Sequence, residues 1–284
     1  MNAVDAAVAV ARAAGLRVDD PVVLRDRLNV LVHLRPAPVV ARVAGSIAAV
    51  RPGDEWLRRE LAVAGSLAAA GAPVVAPSAE LPPGPHHHEG RVLSFWTYVP
   101  EREPATPDAA GAALREVYAA LRGFRGALPV LGHLTEAEAL LAKLAAEESL
   151  DADTAHDLHD RIEELREPMT ALRTPVQPLH GDAHLRNVLN GPDGPLWNDW
   201  EDTCLGPIHW DAACMLASSR VSGEGAAEAE QALRAARIEV DPGELSLWVD
   251  VRIVQGAIWG AYTDREHGRD NRAWMETARR RGGG

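Results

Sequence analysis

The residue pattern changes character at E-R-E-P-A-T-P-D, residues 101–108, and this change limits the fold more than any other feature of the chain. Two prolines within a run of charge mark a linker. Ahead of it, L-N-V-L-V-H-L-R (28–35), P-V-V-A-R-V (38–43) and R-V-L-S-F-W-T-Y-V (91–99) carry the alternating or continuous apolar pattern of strands. Two helices accompany them. Residues 3–14 are short and alanine-rich. Residues 53–71 place Leu57, Leu61, Ala64 and Leu67 on one face, with Asp54 at the cap and Gly71 as the stop. The Pro-, Gly- and His-rich stretch 76–90 reads as loop.

Behind the linker, residues 108–122, 135–149, 153–172, 211–220, 225–237, 243–263 and 270–280 repeat with helical periodicity. One segment, 175–202, interrupts them. In it V-L-N and P-L-W-N flank a P-D-G turn, which predicts a small hairpin. The order predicts an α+β chain with two lobes. Residues 1–100 form a small lobe of antiparallel sheet plus helix, and residues 101–284 a larger, mainly helical lobe. A cleft between such lobes is a natural ligand site.

The 284 residues suffice for both lobes. Lys+Arg total 29 against 41 Asp+Glu, a formal net charge of −12, so nucleic-acid phosphates meet repulsion and are not expected as partners. Lys143 is the only lysine. The two cysteines, Cys204 and Cys214, exclude a disulfide framework and favour a reducing, cytoplasmic setting. They read as buried small apolar residues. No apolar run is long enough to span a membrane. Asp5 and the lack of a basic leader argue against a signal peptide.

The chemistry concentrates in His180-Gly181-Asp182-Ala183-His184-Leu185-Arg186-Asn187, followed by Asn198-Asp199-Trp200-Glu201. Protein kinases use H-R-D-x-x-x-x-N, in which the Asp meets the substrate hydroxyl and the Asn holds Mg²⁺. Asp182 and Asn187 keep that spacing. The predicted hairpin returns the chain from Asn187 to Asp199, so an amide oxygen and a carboxylate can share a hard cation. His180-x-Asp182-x-His184 also permits a transition-metal cluster and hence a metal-dependent hydrolase. His86-His87-His88 reads as a solvated loop with a possible metal-binding composition.

This stretch resembles the aminoglycoside phosphotransferase and choline kinase-like family, whose H-G-D-x-H-x-x-N matches 180–187. The family's apolar-apolar-D-W element matches Trp197-Asn198-Asp199-Trp200, and its G-x-x-x-x-D matches Gly206 to Asp211. In the first lobe, V-V-A-R-V resembles the strand bearing the phosphate-binding Lys or Arg, R-R-E-L-A-V the helix with its Glu partner, and F-W-T-Y-V the strand entering the hinge. The resemblance implies a bilobal protein-kinase-like fold and ATP-dependent phosphoryl transfer to the hydroxyl of a small molecule, an aminoglycoside-like antibiotic or a metabolite alcohol.

It also implies roles. Asp182 is the base or hydroxyl-orienting group, and Asn187 and Asp199 hold Mg²⁺. Arg42 contacts the phosphates and pairs with Glu60. The backbone around Trp96, Tyr98 and Val99 receives the adenine of ATP. Two departures stand out. Arg42 occupies the usual lysine position, and a fork differs from a point charge. Arg25-Asp26-Arg27-Leu28-Asn29 stands where kinases place a glycine loop. These departures support an alternative, a non-catalytic kinase-like module that binds nucleotide or another ligand. Asp211 is expected to brace the catalytic loop. Glu201 and Asp202 are open between a metal- or substrate-facing role and a solvent turn. Trp248, Trp259 and Tyr262 are expected in the core. The late helices mix Glu244, Asp250, Asp264 and Glu266 with Arg252 and Arg265, which favours neither a polycationic nor a neutral acceptor.

Overall fold

The computed structural model describes residues 2–267 and 271–280, with the side chains of His133, Thr170 and residues 264–267 outside the description. The chain forms two compact units, Met1–Ala127 with Arg186–Thr203, and Leu128–Leu185 with Cys204–Gly284.

The first unit begins with α1 (Ala3–Ala13), capped by the Asn2 side chain, which accepts from the Asp5 amide at 2.8 Å. Strands β1 (Val18–Asp26), β2 (Asn29–Pro36) and β3 (Val39–Ala44) follow. Then come α2 (Glu55–Ala69), β4 (His86–His88), β5 (Arg91–Thr97) and α3 (Pro107–Leu121). The strands make one antiparallel sheet in the order β1-β2-β3-β5-β4.

Residues 18–26 carry no strand signal, because V-D-D-P-V-V-L-R-D mixes charge and proline. The structure makes them the edge strand, where Pro21 and exposed charges are tolerated. The histidine run is likewise a strand rather than a loop. His87 pairs with Val92, and His86 Nε2 lies 2.7 Å from the Pro82 carbonyl. Asp54 precedes α2 but makes no side-chain cap; Arg58 and His87 take its carboxylate instead. One face of the sheet buries Val32, Leu34, Val39, Ala41, Val43, Leu93 and Phe95 with Ala7 and Ala11 of α1.

In the second unit, α4 (His133–Ala146) and α5 (Ala152–Ala171) lead into β6 (Gln177–Leu179). The chain then re-enters the first unit as the hairpin β7 (Val188–Gly191) and β8 (Gly194–Trp197), where Gly194 has φ +119°. Trp197 is fully buried there, and its indole donates to the Ala110 carbonyl at 3.0 Å. Strand β9 (Cys204–Gly206) pairs antiparallel with β6 in the second unit. Both are three residues long, too short for a pattern in sequence. Helices α6 (His209–Ser222), α7 (Ala226–Ala236), α8 (Pro242–His267) and α9 (Arg272–Arg279) complete the unit. Trp248 and Tyr262 are in its core, while Trp259 is half-buried. Both cysteines are buried thiols, and neither is in a disulfide among the described residues. Among the described residues, no helix is long and apolar enough to cross a membrane. The α+β class, an antiparallel N-terminal sheet followed by a helical remainder, is as the sequence predicts.

Candidate active site

In the first unit the sheet and α2 bring a cation and several acids together. Arg42 on β3 pairs with Ser94 of β5 in register, and its side chain is 8% exposed. One guanidinium nitrogen donates to Glu60 of α2. A second reaches Glu201 and, at 3.1 Å, Asp199. The indole of Trp56 lies 5.7 Å from the guanidinium carbon. The predicted Arg42–Glu60 pair is therefore present, within a larger cluster.

Glu201 is the residue that sequence leaves undecided. It is buried, its second oxygen lies 3.7 Å from Arg51, and its carbonyl accepts from Arg59 at 2.9 Å. Asp202 pairs with Arg51 at 2.6 Å. Arg51, just ahead of α2, and Arg59, within it, are the arginines that meet this E-D pair.

The electrostatics follow from acids outnumbering the guanidinium groups among them. Burial lowers the pKa of Arg42, but Glu60, Glu201 and Asp199 outweigh it and raise the net value. Burial pushes Glu60 up to about 7, Arg42 pulls it down, and Asp199 pushes it up again. Burial likewise takes Glu201 up to about 8, against the pull of Arg42.

The base of the hairpin sets Asn198, the neighbour of Asp199, against Asn187. The Asn187 carbonyl accepts from both the backbone and side-chain nitrogens of Asn198, each at 3.0 Å. Asp199 then turns with φ +69°, left-handed backbone that Asp tolerates better than most residues. A carboxylate and a side-chain amide are the hard oxygen donors that Mg²⁺ takes, so Asp199 and Asn187 are the residues that could hold it. Asp199 keeps a side-chain exposure of 31%, so it is open to a ligand.

The segment 96–99 leaves β5. Trp96 is buried, and its indole donates to Ser94 Oγ at 2.9 Å. Tyr98 stacks on His33 with ring centroids 3.6 Å apart. The Thr97 and Tyr98 amides already donate to Ala76 and Pro38. The Val99 amide has no acceptor among the described residues.

Asp182 belongs to the second unit, on the loop after β6. Gly181 has φ +92°, which a side chain would strain. The loop is braced from α6. Asp211 accepts from the His180 and Gly181 amides at 2.8 and 2.9 Å, and the Trp210 indole donates to the Gly181 carbonyl at 2.6 Å. His180 is fully buried, and its Nδ1 accepts from the Asp182 amide at 3.3 Å, so it shapes the loop. Asp182 Oδ1 accepts from Arg252 of α8 at 2.7 Å, and Oδ2 faces His184 at 3.3 Å. Burial raises its pKa, but His184 and Arg252 outweigh it and hold the carboxyl well below its usual range. Among the described residues, no group of three or more His, Cys, Asp and Glu side chains is set to hold a metal, so the H-x-D-x-H spacing forms no transition-metal cluster.

Known proteins supply the context. No curated protein matches the sequence. Among solved structures, amicoumacin kinase hAmiN in complex with AMP-PNP, Ca²⁺ and Ami is similar over 97% of this chain and 92% of its own, at 16% identity and a TM-score of 0.73. Choline kinase LicA from Streptococcus pneumoniae is similar over 96% and 95%, at 13% identity and a TM-score of 0.71. A GDP and kanamycin complex of APH(2″)-IIia covers 95% of each chain at 16% identity and a TM-score of 0.66. These TM-scores show a shared protein-kinase-like fold. The family model for the phosphotransferase enzyme family matches residues 25–248, most of the chain. The chain therefore belongs to the phosphotransferase enzyme family, whose members pass phosphoryl groups to the hydroxyls of small molecules.

Proposed function

We propose that the protein moves the γ-phosphoryl group of ATP to a hydroxyl of a small molecule, an aminoglycoside-like antibiotic or a metabolite alcohol, in the cytoplasm. The observation that carries this is the 3.1 Å tie between Arg42, the cation proposed for the phosphates, and Asp199, the carboxylate proposed for the metal. Residues 1–100 take the nucleotide, and residues 101–284 supply the catalytic loop and the acceptor pocket. Similar structures hold AMP-PNP or GDP, which supports a nucleotide here. The adenine is taken along the Trp96, Tyr98 and Val99 backbone, with the Val99 amide the donor still available.

Phosphoryl transfer asks a protein for alignment and charge neutralisation more than for covalent help. Asn187 and Asp199 would hold Mg²⁺, which when bound neutralises phosphate charge. Arg42 is anchored by Glu60 and Glu201 and donates to phosphate oxygens. Asp182 accepts the proton of the acceptor hydroxyl. That oxygen forms its bond to the γ-phosphorus as the bond to the bridging oxygen of ADP breaks. Because Asp182 is held ionised, it is ready to accept at neutral pH.

A thermal shift series tests this with ATP plus Mg²⁺, GTP plus Mg²⁺ and each component alone. A ligand bound only by the native state raises the midpoint, by about 2.7 kcal/mol of stability at a hundredfold excess over Kd. The expected result is a rise that needs both nucleotide and Mg²⁺. No rise at millimolar nucleotide overturns the proposal, and a rise without ADP formation in the presence of hydroxyl acceptors leaves a nucleotide-binding module.

A further inference from the structure

Arg252 has no place in the motifs around Asp182. It lies 70 residues further on, in the middle of α8, yet donates to Asp182 Oδ1 at 2.7 Å. Its side chain is 15% exposed, and that of Asp182 is 24% exposed. We propose that Arg252 is the positioning residue of Asp182, fixing both the rotamer and the ionised state of the carboxylate that meets the acceptor hydroxyl. The proposal rests on Asp182 having that role.

Two further contacts hold Arg252 in place. Its Nη1 donates to Gln255 Oε1 at 2.7 Å, one turn along α8. Its guanidinium carbon lies 6.0 Å from the Trp210 ring. Trp210 in turn donates to the Gly181 carbonyl at 2.6 Å, immediately before Asp182. The circuit Gly181–Trp210–Arg252–Asp182 therefore closes through two helices, α6 and α8. A partly exposed carboxylate without such a clamp rotates about two torsions and exchanges partners with water. Alignment is the main demand of phosphoryl transfer, so that freedom lowers the population of productive geometry.

The charges around Asp182 favour the anion. His180 and His184 face it from its own loop and Arg252 from α8, while Asp211 and Cys214 stand behind the loop on α6. The Asp211 carboxylate is already satisfied by two backbone amides, and burial holds the Cys214 thiol up and neutral. Arg252 is the fixed positive charge at the carboxylate. Each carboxylate oxygen offers more than one acceptor site, so the clamp leaves room for a hydroxyl.

The test uses the full chain with carboxyl-labelled aspartate, the Asp182 resonance being assigned from D182N. In the wild type the resonance should titrate below the ordinary value of about 3.9. In R252Q it should rise by about one to three units, the range for losing an adjacent opposite charge. R252K should keep the low value but lose the fork. In steady-state ADP release from MgATP, both variants should lose about tenfold or more in kcat with the KM for ATP unchanged. A merely structural ion pair would lower thermal stability and leave the titration and kcat as they were. Unchanged titration in R252Q overturns the proposal, as does unchanged kcat in R252K, which carries the test should R252Q fail to fold. The titration is read without any phosphoryl acceptor, so its outcome is separate from the nucleotide shift that tests the function.

Discussion

The two acid–base clusters of this protein are built from the same groups in opposite proportions. Around Arg42, one guanidinium serves Glu60, Glu201 and Asp199. Around Asp182, one carboxylate is flanked by Arg252 and His184. Burial pushes carboxyl pKa values upward in both places. It prevails where acids outnumber the cation, taking Glu60 and Glu201 to about 7 and 8. It loses where Arg252 and His184 face a single carboxylate, and Asp182 falls well below its usual range. The ratio of charges, rather than burial, therefore decides the protonation state. The first cluster is short of positive charge, as would suit the Mg²⁺ proposed at Asp199 and Asn187. The second keeps its one acid ionised, as suits a hydroxyl acceptor.

The largest way to break the comparison is to remove the acid of the second cluster. D182N should lower kcat for phosphoryl transfer by about 10² to 10⁴-fold, the usual contribution of a positioned acid–base group, with nucleotide affinity retained. Turnover and nucleotide binding measured on one preparation check this, and equal turnover would remove Asp182 from the chemistry. Next comes the cation of the first cluster. R42M strands its buried acids and should cost about 3–5 kcal/mol in urea unfolding at pH 8. At pH 6 the loss should be smaller, because the stranded carboxylates take up protons. Equal losses at both pH values would mean that the acids are already neutral in the wild type.

The smallest effect sharpens the sign. Glu60 and Glu201 have folded values of about 7 and 8 above an ordinary 4.5, so the folded state binds more protons. Stability should fall as pH rises from about 4.5 through 8. E201Q should flatten that slope, which a set of unfolding curves reads directly. Asp182 acts in the other direction. Its contribution is present above about pH 3.9 and lost only as pH falls through its lower folded value.

Where the chemistry is local, it was legible. Asp182, Asn187 and Asp199 stand within eighteen residues, and the hairpin that folds Asn187 back toward Asp199 is announced by Pro192-Asp193-Gly194. Arg42 and Glu60 were visible because a strand and a helix of clear periodicity carry them. Glu201 was ambiguous because an acid in a turn looks the same whether it meets water or Arg42, until distant elements pack. Arg252 looked like one charge among several on a late helix, since nothing along 70 residues of chain fixes which face meets Asp182. Strand β1 was hidden by its own surface, because an edge strand needs no alternation when both faces are largely exposed.

The sequence by itself determined most of the element types, the change from sheet to helix, and the groups proposed to move a phosphoryl. Those properties depend on residues close together in the chain, where spacing translates into geometry through fixed helix and strand repeats. Only the tertiary structure decided which cations stand beside which carboxylates, and hence the charge each one carries. Electrostatic coupling depends on distances of a few ångströms between groups far apart in sequence, and folding alone sets those distances.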